Sequence, residues 1–246
     1  MSVTHKRYQR ATTFFFFTNL KGINLYWHLK FNTIIKVFMA SKKGSARPPT
    51  RRPGIDRYDK LLRAAEEIVL ANESLDGLTL QSIAAKAQVP RVSLYYFFPS
   101  IDAVVEALYH RILTRLISEL SQSFTEPNKD WKKVMARLMT EVRNHYRKNT
   151  LTTVLALTPP SPKMINEAHV VYGEAVAQML VAVSGVPASK SLTTGCEIAA
   201  EIGTTIFRKS YLEKGTITDS YFAEALNAVI AYLDTVISPK KVAKRK

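Results

Sequence analysis

From residue 56 onward, apolar positions recur at three- and four-residue spacing. Tyr58, Leu61, Leu62, Ala65, Ile68 and Val69 form one such stripe, and they predict a first helix with a single buried face. The polar run 72–77 ends on Gly77 and predicts a turn. Further helices are expected over about 80–87, 90–98 and 101–122, with Ser100 placed to cap the last. Glu126, Pro127, Asn128, Lys129 and Asp130 interrupt the pattern. Beyond them helices are expected over about 131–148, 151–157, 163–183, 192–213 and 219–237. Pro159, Pro160 and Pro162 mark one break, Gly185 with Pro187 a second, and 215–218 a third. No alternating strand run and no internal repeat is visible. The expected fold class is all-α, with a three-helix unit at 56–100 and a larger helical domain at 101–238.

Residues 79–98 carry the most specific pattern, two short helices across a tight turn. That is the build of a helix-turn-helix, in which one helix braces and the next enters a DNA groove. Thr79 suits the N-cap of the first helix, and a helix start can hold a phosphate. Leu80, Ile83, Ala84 and Ala87 point inward, with Ala84 small where the helices cross. Pro90 fits the first turn of the next helix, where its missing N–H costs nothing. Leu94 and Phe98 face the core, which leaves Arg91, Val92, Ser93, Tyr95 and Tyr96 outside or at the rim. Arg91 suits guanine edges or phosphate, Ser93 a base edge or phosphate, and Val92 a thymine methyl. The Tyr95 and Tyr96 hydroxyls suit phosphate oxygens. An ordinary amphipathic helix pair with a tyrosine-rich core face would share the spacing.

The stretch 77–108 resembles the N-terminal domain of the tetracycline-repressor (TetR) family. The resemblance rests on Gly77-Leu78-Thr79, Ile83-Ala84, Val89, Leu94-Tyr95, Phe98 and Ser100. Four positions depart from the family pattern. Gln88 replaces the turn glycine, so a non-glycine residue is expected to hold a strained turn conformation. Pro90 replaces a serine cap, Phe97 a histidine that could reach phosphate, and Ile101 a lysine. The resemblance implies a DNA-binding regulator with a C-terminal domain that dimerises through its last two long helices and holds a small effector. A repressor on a palindromic double-stranded DNA operator is the expected form, and an activator stays open. Ala199, Ala200 and Gly203, with Phe222, Leu226, Val229, Ile230 and Leu233, suit the homodimer interface. Trp131, Met135, Met139, Tyr146, Leu155, Met164, Tyr172 and Met179 could line an apolar effector cavity. Arg143 and His145 could fix an anionic or hydroxyl group there.

Charge changes the picture most at the ends. The chain of 246 residues has a formal charge of +15. Residues 1–55 hold 11 Lys and Arg without an acid, and the last seven residues hold five more. The body between them has 19 bases against 20 acids. Within 56–100 five bases face six acids, so this unit lacks an electrostatic grip of its own. Lys42, Lys43, Arg47, Arg51 and Arg52, interleaved with Pro48, Pro49 and Pro53, read as an extended arm that supplies it. Residues 239–246 form a second basic tail.

Residues 1–38, with Phe14 to Phe17 and no acid, differ from the rest, and Met39 reads as a fresh start. Arg10, Lys21, Lys30 and Lys36 break every apolar run there before membrane-spanning length, so no stable membrane association is expected. The apolar stretch after Arg10 is not followed closely by a small-x-small cleavage site. A single cysteine, Cys196, excludes an intrachain disulfide and fits the cytoplasm. The histidines show no metal-pair spacing, and no Gly-rich phosphate loop appears, so no metal, no cofactor and no enzymatic activity is expected. The alternatives are a helical enzyme without a recognisable motif and a protein held at a membrane by its basic Phe-rich N-terminus.

Overall fold

A computed structural model describes residues 46–124, 126–157 and 162–238. Among these residues the fold is all-α, with α1 Arg52–Asn72, α2 Leu80–Ala87, α3 Arg91–Phe97 and α4 Ile101–Ser123. There follow α5 Trp131–Lys148, α6 Thr150–Leu157, α7 Pro162–Ser184, α8 Lys190–Lys214 and α9 Asp219–Ile237. Lys42, Lys43, Met39, the Phe-rich extension and the basic C-terminal tail lie outside the described residues.

Side-chain caps set several boundaries. Asp130 accepts from the Lys132 and Lys133 N–H groups to open α5, and Thr218 accepts from Tyr221 N–H to open α9. At α1 the sequence expectation needs correcting. The helix begins at Arg52, inside the segment read as an extended arm, because Pro53 occupies its first turn. Arg51 is the N-cap residue, so Arg51 and Arg52 sit on a helix end. Further back, Arg47 N–H donates to the Phe97 carbonyl at 2.8 Å and Ala46 packs on the core. The arm is therefore tied, at Arg47, to the end of α3.

Two large apolar clusters, with a small third one of Ile117, Val171 and Ala175, hold the described residues. One joins α1, α2 and α3 to the first half of α4, to Leu151, Val154 and Leu155 of α6, and to Ala168 of α7. The other joins α5, α7, α8 and α9. Glycines let the long helices approach closely. A Cβ on Gly173 of α7 would lie 2.5 Å from the Glu197 backbone nitrogen of α8. A Cβ on Gly195 would lie 2.9 Å from Val236 of α9.

Half of the expected dimer surface packs within the chain. Ala199, Gly203, Val229 and Leu233 are buried within the chain. The Gly203 site faces Val229 at 3.5 Å and Met139 at 3.7 Å. A small-residue helix face permits close approach whichever chain supplies the partner, and here α9 and α5 of the same chain supply it. Phe222 stacks on Phe207, with their ring centroids 6.2 Å apart. Ala200, Leu226 and Ile230 stay partly exposed.

Candidate nucleic-acid interface and regulatory cavity

The hinge between α2 and α3 is built from local hydrogen bonds. Thr79 and Ser82 form a reciprocal capping box: the Thr79 hydroxyl accepts from Ser82 N–H and the Ser82 hydroxyl from Thr79 N–H, each at 3.0 Å. Gln88 ends α2 with φ 52° and ψ 43°, left-handed values that favour glycine. Its N–H donates to Ala85 and Val89 N–H to Ala84, both at 3.1 Å, and these bonds close the turn. Pro90 stands one position earlier than expected, as N-cap of α3. It provides no side-chain cap, and its carbonyl accepts from Ser93 N–H at 2.9 Å.

One face of α3 is core. Leu94, Phe97 and Phe98 are buried, and Tyr58 stacks on Phe98 with centroids 4.8 Å apart. Phe97 meets Tyr58 edge-on at 5.8 Å. The sequence comparison treats Phe97 only as a missing phosphate donor, whereas its place is in the core. Its three-residue spacing from Leu94 is the signal for that.

The opposite face is open. Val92 is 83% exposed, Tyr95 54% and Tyr96 64%, and Arg91 lies beside them. Apart from Tyr96, which meets Phe97 edge-on at 5.2 Å, these water-facing apolar and aromatic side chains have no ring contact, and clustered on one short helix they suit a contact surface. Of the other expected contacts, Leu80 packs partly into the core, and the Ser100 hydroxyl caps α4 by accepting from Ala103 N–H at 3.2 Å. Thr79 is exposed, but its hydroxyl is engaged in the capping box.

Two of the five bases of this unit are in ion pairs. Arg63 lies 3.5 Å from Asp59 and Lys86 3.0 Å from Glu67. Arg47, Arg51 and Arg52 are exposed at the end of the unit where α3 finishes. A different set of charges ties α1 to α4. Arg111 pairs with both Asp59 and Glu66, and Arg115 approaches Glu66 at 3.8 Å.

In the C-terminal domain the expected pocket residues divide. Arg143 pairs with Asp219 at 2.8 Å and lies over the Phe222 ring at 4.0 Å. His145 bonds Glu119 at 2.8 Å and Thr152 at 3.2 Å. Both are thus held by partners within the chain, although the Arg143 Nε is buried without one. Met135, Met139 and Leu155 are core, and Trp131 packs at its edge. A cavity of about 40 Å³ does lie between α4, α5 and α7. Ile117, Leu138, Tyr172, Ala175 and Met179 are among its lining residues. A smaller one of about 10 Å³ lies between α4 and α7, beside Tyr109 and Met164. Tyr172, Met179 and Met164 are thus the residues of the expected pocket set that line a void. Burial pushes the Tyr146 hydroxyl up to about 12 and raises Tyr109 and Tyr172 as well, so all three hold their protons at neutral pH.

Residues 61–108 match the family of bacterial regulatory proteins called the tetR family. Solved structures agree with the fold. A TetR-family transcriptional regulator from Streptomyces coelicolor superposes with a TM-score of 0.58 at 23% identity, over 73% of this chain and 99% of that one. A TetR transcriptional regulator from Rhodococcus sp. RHA1 gives 0.53 at 15% identity, over 72% and 95%. Thermus thermophilus FadR, a TetR-family transcriptional repressor in complex with lauroyl-CoA, gives 0.54 at 20%, over 76% and 99%. Among curated proteins no sequence matches the chain. The class is that of helix-turn-helix DNA-binding proteins with an all-α C-terminal domain. The match to the tetR family covers the stretch from α1 to the first third of α4, and the solved structures share the fold of the whole.

Proposed function

We propose that this protein is a dimeric, ligand-responsive transcriptional repressor that binds a palindromic operator and is released by a small amphipathic effector. The observation that carries the reading is the open face of α3. There Arg91, Val92, Tyr95 and Tyr96 point away from a helix whose other face is packed core. These side chains combine a guanine reader, a methyl contact and two phosphate donors on one groove-sized helix. The basic arm holds the duplex less selectively. Arg47, Arg51 and Arg52 contribute to it, with Lys42 and Lys43 ahead of them.

Dimerisation places two such helices about 34–36 Å apart, one turn of the duplex. The outer faces of α8 and α9 suit this contact, with Ile198 and Ala200 on one and Leu226 and Ile230 on the other. The effector domain lies behind them. The lauroyl-CoA held by the Thermus protein favours an effector with a long apolar part. Regulation of this kind belongs in the cytoplasm and involves no catalysis by the protein itself.

The test is selection of bound fragments from genomic DNA by the full chain, followed by release with candidate metabolites. Enrichment of a palindrome is the expected result. Bound fragments without a shared two-fold motif would overturn the proposal.

A further inference from the structure

Arg208 of α8 presents a problem that the fold does not solve. Its Nε and Nη2 atoms are buried and neither has a hydrogen-bond partner. Burying an unpaired guanidinium edge costs several kcal/mol unless an anion meets it. All 20 of the chain's Asp and Glu residues lie in the described segments, and none pairs with these two nitrogens.

The surroundings point the same way. The Arg208 charge acts on Tyr109 of α4, on Tyr146 of α5 and on His169 of α7. These are the three helices that enclose the 40 Å³ cavity. Tyr172 joins the two places, since it lines the cavity and its buried hydroxyl lies beside that of Tyr146. Burial lowers His169, so it stays neutral and adds no second positive charge at neutral pH.

We propose that Arg208 anchors a carboxylate subsite and that the effector is an amphipathic monocarboxylate whose apolar part enters the cavity lined by Ile117, Leu138, Ala175 and Met179. The inference rests on the reading of the C-terminal domain as the effector domain, and it names the effector's chemical class. Nε and Nη2 form the edge of a guanidinium that grips both oxygens of a carboxylate. The Tyr172 hydroxyl donates a further bond. One guanidinium among tyrosine hydroxyls and a neutral His169 is balanced by one negative charge, which favours a carboxylate over a phosphate dianion.

A void of about 40 Å³ is far below the 300–1,000 Å³ of a usual ligand site. Binding must therefore part α4 from α5 and α7. Because α4 carries Arg111, the same movement reaches α1 and the DNA-binding unit. The effector then favours one of two arrangements, as release requires.

The test uses the full chain with hexanoate, decanoate and 2-naphthoate, each beside the matching neutral alcohol, and with decyl phosphate. Binding is read by calorimetry and by the shift in Tm. At least one carboxylate should bind ten or more times tighter than its alcohol. Arg208→Met should abolish that preference while leaving the alcohol unchanged, and Arg208→Lys should keep part of it. The Tm of Arg208→Met without ligand should not fall, because the guanidinium has no native partner to forfeit. Failure of every carboxylate to bind, equal binding by Arg208→Met, tighter binding of decyl phosphate, or a collapse in Tm would each overturn the proposal. Operator binding is measured on the same samples. If the palindrome is still bound while carboxylates are ignored, the subsite fails and the regulator reading stands. If no palindrome is bound but Arg208-dependent carboxylate binding persists, the regulator reading fails and the subsite stands.

Discussion

Arg111 of α4 donates to Glu66 of α1 across 3.3 Å, and both side chains are mostly buried, at 17% and 13% exposure. This contact joins the helix that walls the cavity to the helix that braces the DNA-binding unit. Glu66→Gln should lower unfolding stability by about 1–3 kcal/mol, the range for a half-buried charged hydrogen bond whose acceptor is made neutral. A double-mutant cycle with Arg111→Met, followed by urea unfolding, measures the coupling. Strict additivity of the two changes would show that the pair is incidental.

Gln88 sits at φ 52° where an L side chain is strained. Gln88→Gly should relieve about 1–2 kcal/mol of that strain, offset in part by the greater freedom of glycine when unfolded. The expected net result is a small rise in Tm. Gln88→Val should lower it, since a β-branched residue tolerates the left-handed region least. A Tm lower for glycine than for glutamine would contradict the assignment of strain.

Val92, Tyr95 and Tyr96 separate stability from recognition. Alanine at each should change stability by no more than about 0.5 kcal/mol, as exposed positions do. Operator affinity should nevertheless fall. Arg91→Ala should instead relax base preference at one position of each half-site, by about 1–3 kcal/mol of discrimination. Affinity and specificity are read together by titration against operator variants.

The role proposed for the basic residues ahead of and at the start of α1 is electrostatic. Replacing Lys42, Lys43, Arg47, Arg51 and Arg52 by alanine should weaken binding to all duplexes alike. The slope of log K against log salt should fall by about 0.9 for each phosphate that is no longer neutralised. An unchanged slope would remove the arm from the interface.

Buried tyrosines set an alkaline limit. Burial raises Tyr58 and Tyr146 from 10.0 to about 12 and raises Tyr109 and Tyr172 in the same direction. The unfolded chain releases these protons from about pH 10, while the folded chain holds them. Their stabilising effect is therefore complete below pH 10 and is lost as pH climbs towards 12. Urea midpoints should be level up to about pH 9 and fall steeply by about pH 11. A level midpoint across that range would mean that the hydroxyls titrate freely in the native state.

The helices are legible in the sequence wherever caps and periodicity agree. Thr79, Asp130 and Thr218 each stand directly before an apolar stripe, and each accepts from the first turn of its helix. The face of α3 is legible for the same reason, since Leu94 and Phe98 fix which side is core. Burial partners are not legible. The small face of Ala199 and Gly203 fits a helix of either chain, and periodicity does not say which. Arg143 and His145 are polar groups on an amphipathic helix, and only tertiary contact with Asp219 and Glu119 shows that they are engaged. Arg208 escapes sequence reasoning because its significance lies in what does not surround it.

The apolar cluster that runs from Leu61 and Phe98 through Leu108 to Leu155 leaves no seam between reader and sensor. Grafting the reading head onto another body would expose the surface that α6 now covers. A working chimera would have to import Leu151, Val154 and Leu155 together with the head. In this chain, modularity ends at a side-chain boundary well past the open face of α3.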